Sequence, residues 1–363
     1  MKNYFSFMMD DCLLPKTFLT VFIILNFFIG HGQSCDSLQC NCLKNDLNPS
    51  GIMFGHLHSK GTWMLSYRDM NMQMENIQIG TKKIADDIVY QNYIMSPKAM
   101  KMDMHMLMAM YGITEKLSVM VMLNYNQFSM NMKMLPGTMQ MNMNGMIMAN
   151  QNVSIMNYNT SGLSDSKIYT MYTLLNKANQ QFILSGGINI PFGSIDLKGD
   201  SKSMLPGYQL PYMMQLGDGT FDLLPGLTYI FNKSRLLWGT QLNGTYRLGY
   251  NKRAYVYGNE LNANTWLAYR FLPWMSTSLR AEINAADIIY GKDTEQYEVM
   301  EPAAKTANYG GTKAFGYVGL NLYLKKVAKS KISFECGLPF YQNLNGVQLT
   351  GRSTIYAGWS LLF

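Results

Sequence analysis

The chain has 363 residues, enough for one large domain without requiring two. Apolar residues make up 48% and charged residues 15%, yet mean hydropathy is only −0.08. A helical membrane protein needs repeated runs of about 20 apolar residues, and this chain has a single long one. Its net charge of +7 is not gathered into a basic cluster interleaved with aromatics, which argues against nucleic acid as a partner.

That apolar run extends from Thr17 to Gly30, follows Lys2 and Lys16, and ends in Gly30-His31-Gly32-Gln33. The arrangement is that of a secretory signal. Asp10 and Asp11 are awkward in its basic region, so a start at Met8 or Met9 fits better. Residues 1–33 are therefore read as a signal peptide, with lipoprotein processing at Cys35 as the alternative, although Gly32-Gln33-Ser34-Cys35 is a poor lipobox. Cys12 is lost with the signal. Cys35, Cys40 and Cys42 then open a Cys/His-containing segment, 34–60, expected in the oxidising periplasm. Two readings stay open for them: a local disulfide with a leftover thiol, or a thiolate clasp for a soft metal such as Cu(I), or for Zn. The spacing Cys-x4-Cys-x-Cys matches no strong metal pattern.

From about residue 61 the sequence alternates with period two. Twelve strands are predicted: 61–75, 99–111, 117–132, 166–176, 181–192, 221–231, 235–249, 262–272, 274–286, 313–325, 331–340 and 353–363. Connections after the even-numbered strands are short: Gly112–Lys116, Lys177–Gln180, Asn232–Ser234, Pro273 and Lys326–Ser330. Those after the odd-numbered strands are longer and rich in Gly, Asn, Asp and Pro. Outer-membrane barrels segregate loop length in this way, with tight periplasmic turns and long external loops; a soluble sandwich has no reason to. The expected fold is an all-β, antiparallel up-and-down transmembrane barrel over 61–363, in the outer membrane of a Gram-negative cell.

Parity separates the two faces of each strand, because an apolar set must face lipid. In the last strand Ile355, Ala357, Trp359, Leu361 and Phe363 form that set. In the ninth, Ser276, Ser278, Arg280, Glu282 and Asn284 turn inward, as do Arg235, Gln241, Asn243, Arg247, Asn264 and Arg270 elsewhere. Trp63, Trp238 and Trp274 lie near strand ends, where an interfacial aromatic girdle would place them. The chain finishes on an aromatic residue, Phe363, a signature read by the barrel assembly machinery.

Of 32 methionines, 23 lie between Met53 and Met156, most of them at every second residue. On a strand that spacing puts each series on one face. In the third strand Leu117, Val119, Val121, Leu123 and Tyr125 are lipid-facing, so Met120 and Met122 line the lumen. The same reasoning turns Met64 and Met70 inward with Met72 and Met74 in the first strand. In the second it turns Met102, Met104, Met106, Met108 and Met110 inward, but Lys101, Asp103 and His105 then share the lipid-facing parity. They must lie above the membrane or follow a bulge. The bland reading of the thioether rows is that flexible, polarizable side chains fill an irregular interior. The sharper one is that, with His56, His58 and His105, they offer exchangeable sites for Cu(I) or Ag(I). The Met139–Met148 stretch, in the third external loop, favours the sharper reading; oxidation buffering is a further role for exposed Met.

Three segments carry a resemblance: Gly55-His56-Leu57-His58-Ser59-Lys60-Gly61-Thr62-Trp63-Met64-Leu65-Ser66-Tyr67-Arg68, Met102-Asp103-Met104-His105-Met106-Leu107-Met108-Ala109-Met110-Tyr111-Gly112-Ile113-Thr114, and Leu210–Tyr229. Together with Phe334–Tyr341 they resemble a Met-rich family of bacterial outer-membrane proteins assigned to transport. That family is related to the outer-membrane proteins of meta-pathway phenol degradation. The resemblance implies an outer-membrane barrel and a transport role with no fixed substrate, and its Met- and Cys-rich members suggest a link to copper. The Met-rich third loop departs from it.

No nucleophile elbow, Walker loop or dinucleotide fingerprint appears. A barrel-embedded lipolytic enzyme would have to use His105 with a nearby serine. Asp165 and Asp196 read as solvated loop carboxylates, and Leu210–Tyr229 as a loop folded over the barrel mouth. The expectation is thus a channel or transporter for a small solute, soft metal ions included, with surface sequestration of copper or silver as the alternative. The expected partners are outer-membrane lipid and the assembly machinery.

Overall fold

The computed structural model describes residues 46–134, 139–141, 147–149, 155–199, 207–324 and 330–363. The signal peptide, Cys35, Cys40, Cys42 and most of the Met-rich third loop lie outside them. No described helix is long and apolar enough to cross a membrane. Strands do that work here. The wall is built in order from β1 (Trp63–Gly80), β3 (Met95–Gly112), β4 (Leu117–Met134), β8 (Ser166–Lys177), β9 (Gln180–Ile190), β10 (Asp222–Lys233), β11 (Leu236–Arg247), β13 (Glu260–Leu272), β14 (Met275–Ala286), β16 (Gly311–Leu324) and β17 (Ser330–Leu362). Each pairs antiparallel with the next, and β17 closes on β1.

β17 is one continuous run of 33 residues, which fully extended would reach about 110 Å, far longer than a membrane is thick. It makes two passes. Residues 330–344 pair antiparallel with β16, and 344–362 pair antiparallel with β1. Gln342 Nε2 donates to the Gly351 carbonyl at 3.0 Å across the fold-back, and Gly346 takes the positive φ of 61° at its tip. Eleven strands therefore give the twelve antiparallel passes expected. The connection predicted as long after the eleventh pass is instead a tight turn, because both strands continue well above the predicted ends.

Six smaller strands lie outside or above this wall. β2 (Lys82–Ile84) pairs with β1, and β7 (Ile155–Leu163) pairs with the upper part of β4, whose lower part pairs with β8. β5 (Met139–Met141) and β6 (Ile147–Ala149) form a ribbon, as do β12 (Tyr255–Val256) and β15 (Tyr290–Gly291). A single-turn helix, Asp86–Val89, sits in the first external loop.

The faces follow parity. Leu123, Ile188, Leu242, Leu267 and Leu279 are exposed outward, while Ser276, Ser278 and Arg280 are buried inward. Trp63, Trp238 and Trp274 are exposed at strand ends. The β1–β3 and β3–β4 ladders run without a bulge from Ala99 to Tyr111, so Lys101, Asp103 and His105 do face outward. They sit opposite Ser129, Gln127 and Tyr125 of β4, where that strand's outward face turns from apolar to polar. Lys101 and Asp103 lie above the apolar belt and His105 is level with its upper edge at Tyr125, which resolves the parity conflict.

Inside, buried side chains form two main apolar clusters. One, nearer the short-turn end, holds Met64, Met106, Met108, Met110, Met120 and Met122 against Leu47, Ile52 and Phe54. The other, nearer the outer mouth, holds Met74, Met95, Met100, Met130, Met132 and Met156 with Tyr158 and Leu210. Full burial of each thioether side chain contributes on the order of 1.5–3 kcal/mol.

Candidate functional site

Of the segment 34–60, expected in the periplasm, the described residues from 46 onward lie inside the barrel. Residues 46–58 fold into the lumen as a plug held by lumen-facing wall residues. Lys331 donates to Asp46; Trp266 Nε1 donates to Asn48 Oδ1 at 3.1 Å; Ser333 Oγ lies 3.2 Å from Ser50 Oγ; and the Gly51 amide donates to Glu335 Oε2 at 2.6 Å. Arg68 donates to the Ile52 carbonyl, and the Phe54 ring lies 4.5 Å from that of Tyr169. Asn48 closes the plug on itself, donating to Asp46 and to the Gly55 carbonyl. Across from it, Arg280 is fixed by Glu335, Glu282 and Asn264 and lies 3.6 Å over the Tyr317 ring. Nothing in the alternation of the strands pointed to this plug. Its only sequence signal is the charged pair Lys331 and Glu335 on lumen-facing positions, which need partners inside a barrel.

Four cavities follow the lumen. An outer chamber of about 520 Å³ is bounded by Met102 and Met104 on the wall, Tyr212 and Tyr309 from the loops, and the charged Arg247 and Lys313. A second cavity of about 210 Å³ runs beside the plug and shares Lys167 with the chamber. A third, of about 40 Å³, shares Met53 with the second, and its lining includes His56, Met64, Met108, Met110 and Met120. A fourth, of about 230 Å³, opens among the short turns at Asn176–Gln181 and shares Asp46, Asn48 and His56 with the third. The smallest of the four is thus the one lined by methionine and histidine.

The chamber's polar wall is tied together. Arg247 reaches Asp218, Asp222 at 2.7 Å and Glu260 at 3.2 Å. Asp165, expected to be solvated, is buried and accepts from the Gly193 and Asp218 amides at 2.8 and 2.9 Å. It occupies the step between β7 and β8, so its carboxylate knits two loops to the wall. Asp196 is partly exposed and paired with Lys252 and Arg253; the hydrogen bond from Lys252 leads in holding its carboxyl below the usual range. The first part of the Leu210–Tyr229 motif covers the mouth, where Leu210, Tyr212 and Met214 are buried and Thr160 donates to the Met214 carbonyl, whereas from Asp222 onward the motif is wall strand β10. Above the mouth Glu301 is fully buried, with Tyr208 at 3.5 Å, and burial pushes its carboxyl up to about 8.

The expected metal ligands divide between places. Met70 lies opposite Met104 and Met72 opposite Met102 in the β1–β3 register, with Met74 opposite Met100 in the outer cluster. Met106, Met108, Met110, Met120 and Met122 are packed against the plug that carries His56 and His58. His105 joins neither group. It faces outward, where its Nδ1 lies 2.8 Å from the Tyr67 hydroxyl and 3.0 Å from Asp69. A residue on the outer surface cannot share a site with lumen thioethers, and the partners of His105 there are a phenol and a carboxylate. Among the described residues no three His, Cys, Asp or Glu side chains converge as a metal site.

A crystal structure of an outer membrane channel from Pseudomonas putida F1 is similar to this chain, with a TM-score of 0.56 at 11% identity over 84% of this chain and 96% of that one. The fold is that of an outer-membrane β-barrel. Weaker likenesses extend to the P. putida toluene transporter TodX, TM-score 0.40 at 12% identity over 83% and 89%, and to a Pseudomonas aeruginosa FadL homologue, TM-score 0.39 at 8% identity over 84% and 89%. No family model and no curated protein sequence matches the chain. With this fold and an apolar outer belt, the protein belongs in the bacterial outer membrane.

Proposed function

We propose that the chain is an outer-membrane channel in which a small solute enters the outer chamber and passes the plug to the periplasmic end. The observation that carries this reading is the string of four cavities, each sharing lining residues with the next. A twelve-pass barrel is narrower than the 16-stranded porins with their open aqueous lumen, so a plug as short as residues 46–58 suffices to reduce it to narrow passages. The thioether lining favours a soft monovalent cation, Cu(I) or Ag(I), over a hard one as the solute. The small third cavity also favours a second reading, in which the barrel holds such an ion without passing it on.

Planar-bilayer recording in potassium nitrate decides between passage and closure. The intact protein is expected to conduct weakly, and a variant lacking residues 46–58 to conduct several-fold more. Absence of current from both, with the barrel folded, would sink the channel reading.

A further inference from the structure

We propose that His56 of the plug and Met64, Met110 and Met120 of the wall form a binding site for one soft monovalent cation, Cu(I) or Ag(I), at the smallest of the four cavities. This deepens the channel reading by naming the ion held there, but binding itself does not depend on conduction.

Register brings the three thioethers together. Met64 is paired directly with Met110 in the β1–β3 ladder, and Met110 directly with Met120 in the β3–β4 ladder. All three point inward, so they form one row across three strands, with neighbours about 4.5–5.5 Å apart at Cβ. Each is nearly fully buried, yet the row borders a cavity of about 40 Å³ together with Met53, Met108 and His56. That volume exceeds the roughly 10–15 Å³ needed for one water.

The histidine supplies the second, independent observation. His56 Nδ1 faces Asp46 Oδ1 at 3.5 Å, while its Nε2 is buried with no partner. Metal-bound histidines commonly turn their other ring nitrogen to a carboxylate, which fixes the tautomer and leaves one lone pair for the metal. Asp46, itself held by Lys331, is placed for that role. Behind His56 stands His58, edge to face at 4.9 Å, with both ring nitrogens buried and unpartnered.

Charge explains the selectivity such a site would have. Arg68 and Lys331 border the cavity and Arg280 lies beyond the plug, against Asp46, Glu335 and Glu282. Three cations face three anions, so a hard cation gains nothing by entering. A d¹⁰ ion that bonds to sulfur and imidazole nitrogen gains directly. Binding involves no change of oxidation state, which makes Ag(I) a suitable probe.

The test uses the full chain in detergent, with free thiols alkylated and silver nitrate titrated in chloride-free buffer. One tight Ag(I) per chain is expected, with sulfur and nitrogen scatterers at the silver K-edge. Met64→Leu/Met110→Leu/Met120→Leu keeps the packing volume nearly constant and should weaken that binding by more than about 100-fold, beyond the loss of a merely supporting residue. His56→Gln should remove the nitrogen scatterer. Met100→Leu/Met130→Leu, in the outer cluster, should change neither. Equal Ag(I) affinity in the triple variant and the parent overturns the site, as does loss confined to the outer-cluster control. Binding without potassium nitrate conductance would instead overturn the channel and leave the site standing.

Discussion

Glu301 lies in the loop between β14 and β16, in the cap over the barrel mouth. That cap is stitched to the wall by the Met95 amide donating to the Met300 carbonyl at 2.8 Å and by Asn308 Nδ2 donating to the Tyr93 hydroxyl at 3.0 Å. The carboxyl is buried; Tyr208 and Tyr158 offer hydroxyls, and burial outweighs them. Its proton affinity is consequently raised from 4.5 to about 8. Between those values the folded cap keeps a proton that the unfolded chain has released. Stability is therefore full below about pH 4.5, falls as pH rises to about 8, and is flat beyond. Urea unfolding in detergent should show the parent protein less stable at pH 9 than at pH 5 by roughly 1–4 kcal/mol. Glu301→Gln is neutral throughout and should flatten that slope. An unchanged slope in the variant would assign the titration to another group.

At the scale of elements, the plug depends on one close approach. A Cβ on Gly51 would stand 2.3 Å from Arg280 Nη2 and 2.9 Å from Glu335 Oε2. Arg280 cannot retreat, because Glu335, Glu282 and Asn264 hold its other nitrogens and Tyr317 lies against its plane. Gly51→Ala should cost about 1–3 kcal/mol in the docked plug while leaving the wall intact. The expected outcome is faster proteolysis within 46–58 and a larger conductance, with unchanged heat-modifiable migration of the barrel; a plug as resistant as the parent's would contradict it. The plug was hidden from the sequence for a physical reason. It has no periodicity of its own, and its partners, Ser333 and Glu335 among them, are scattered along strands whose inward polarity was visible but whose purpose was not. The strands were legible because lipid outside and a mixed lumen inside enforce period two. The Met rows were placed by that same rule, whereas the meeting of Met64, Met110 and Met120 needed the register, which the sequence does not print. His105 misled because its neighbours at 104 and 106 turn the other way.

For the whole molecule, the outward face of β4 marks where the membrane ends. Leu117, Val119, Val121, Leu123 and Tyr125 face out, followed by Gln127, Ser129, Asn131 and Lys133 on the same face. The nine residues of the apolar part, at about 3.4 Å each and tilted by about 40°, rise roughly 20–25 Å, close to the apolar band of outer-membrane barrels. β1, β3 and β4 are each 18 residues long, whereas β8, β10, β11 and β14 have 12. One side of the wall therefore stands clear of the bilayer, and the outer chamber with its cap is supported by that taller side. An arginine tests the boundary because its cost depends on depth. Val121→Arg, near mid-belt, should destabilise the folded barrel in lipid vesicles by about 2–4 kcal/mol, while Asn131→Arg should cost about 0–1 kcal/mol. Both residues share one strand and one parity, so propensity and handedness cancel and depth remains. Equal costs at the two positions would place Asn131 inside the hydrocarbon and remove the tall outer wall from this account.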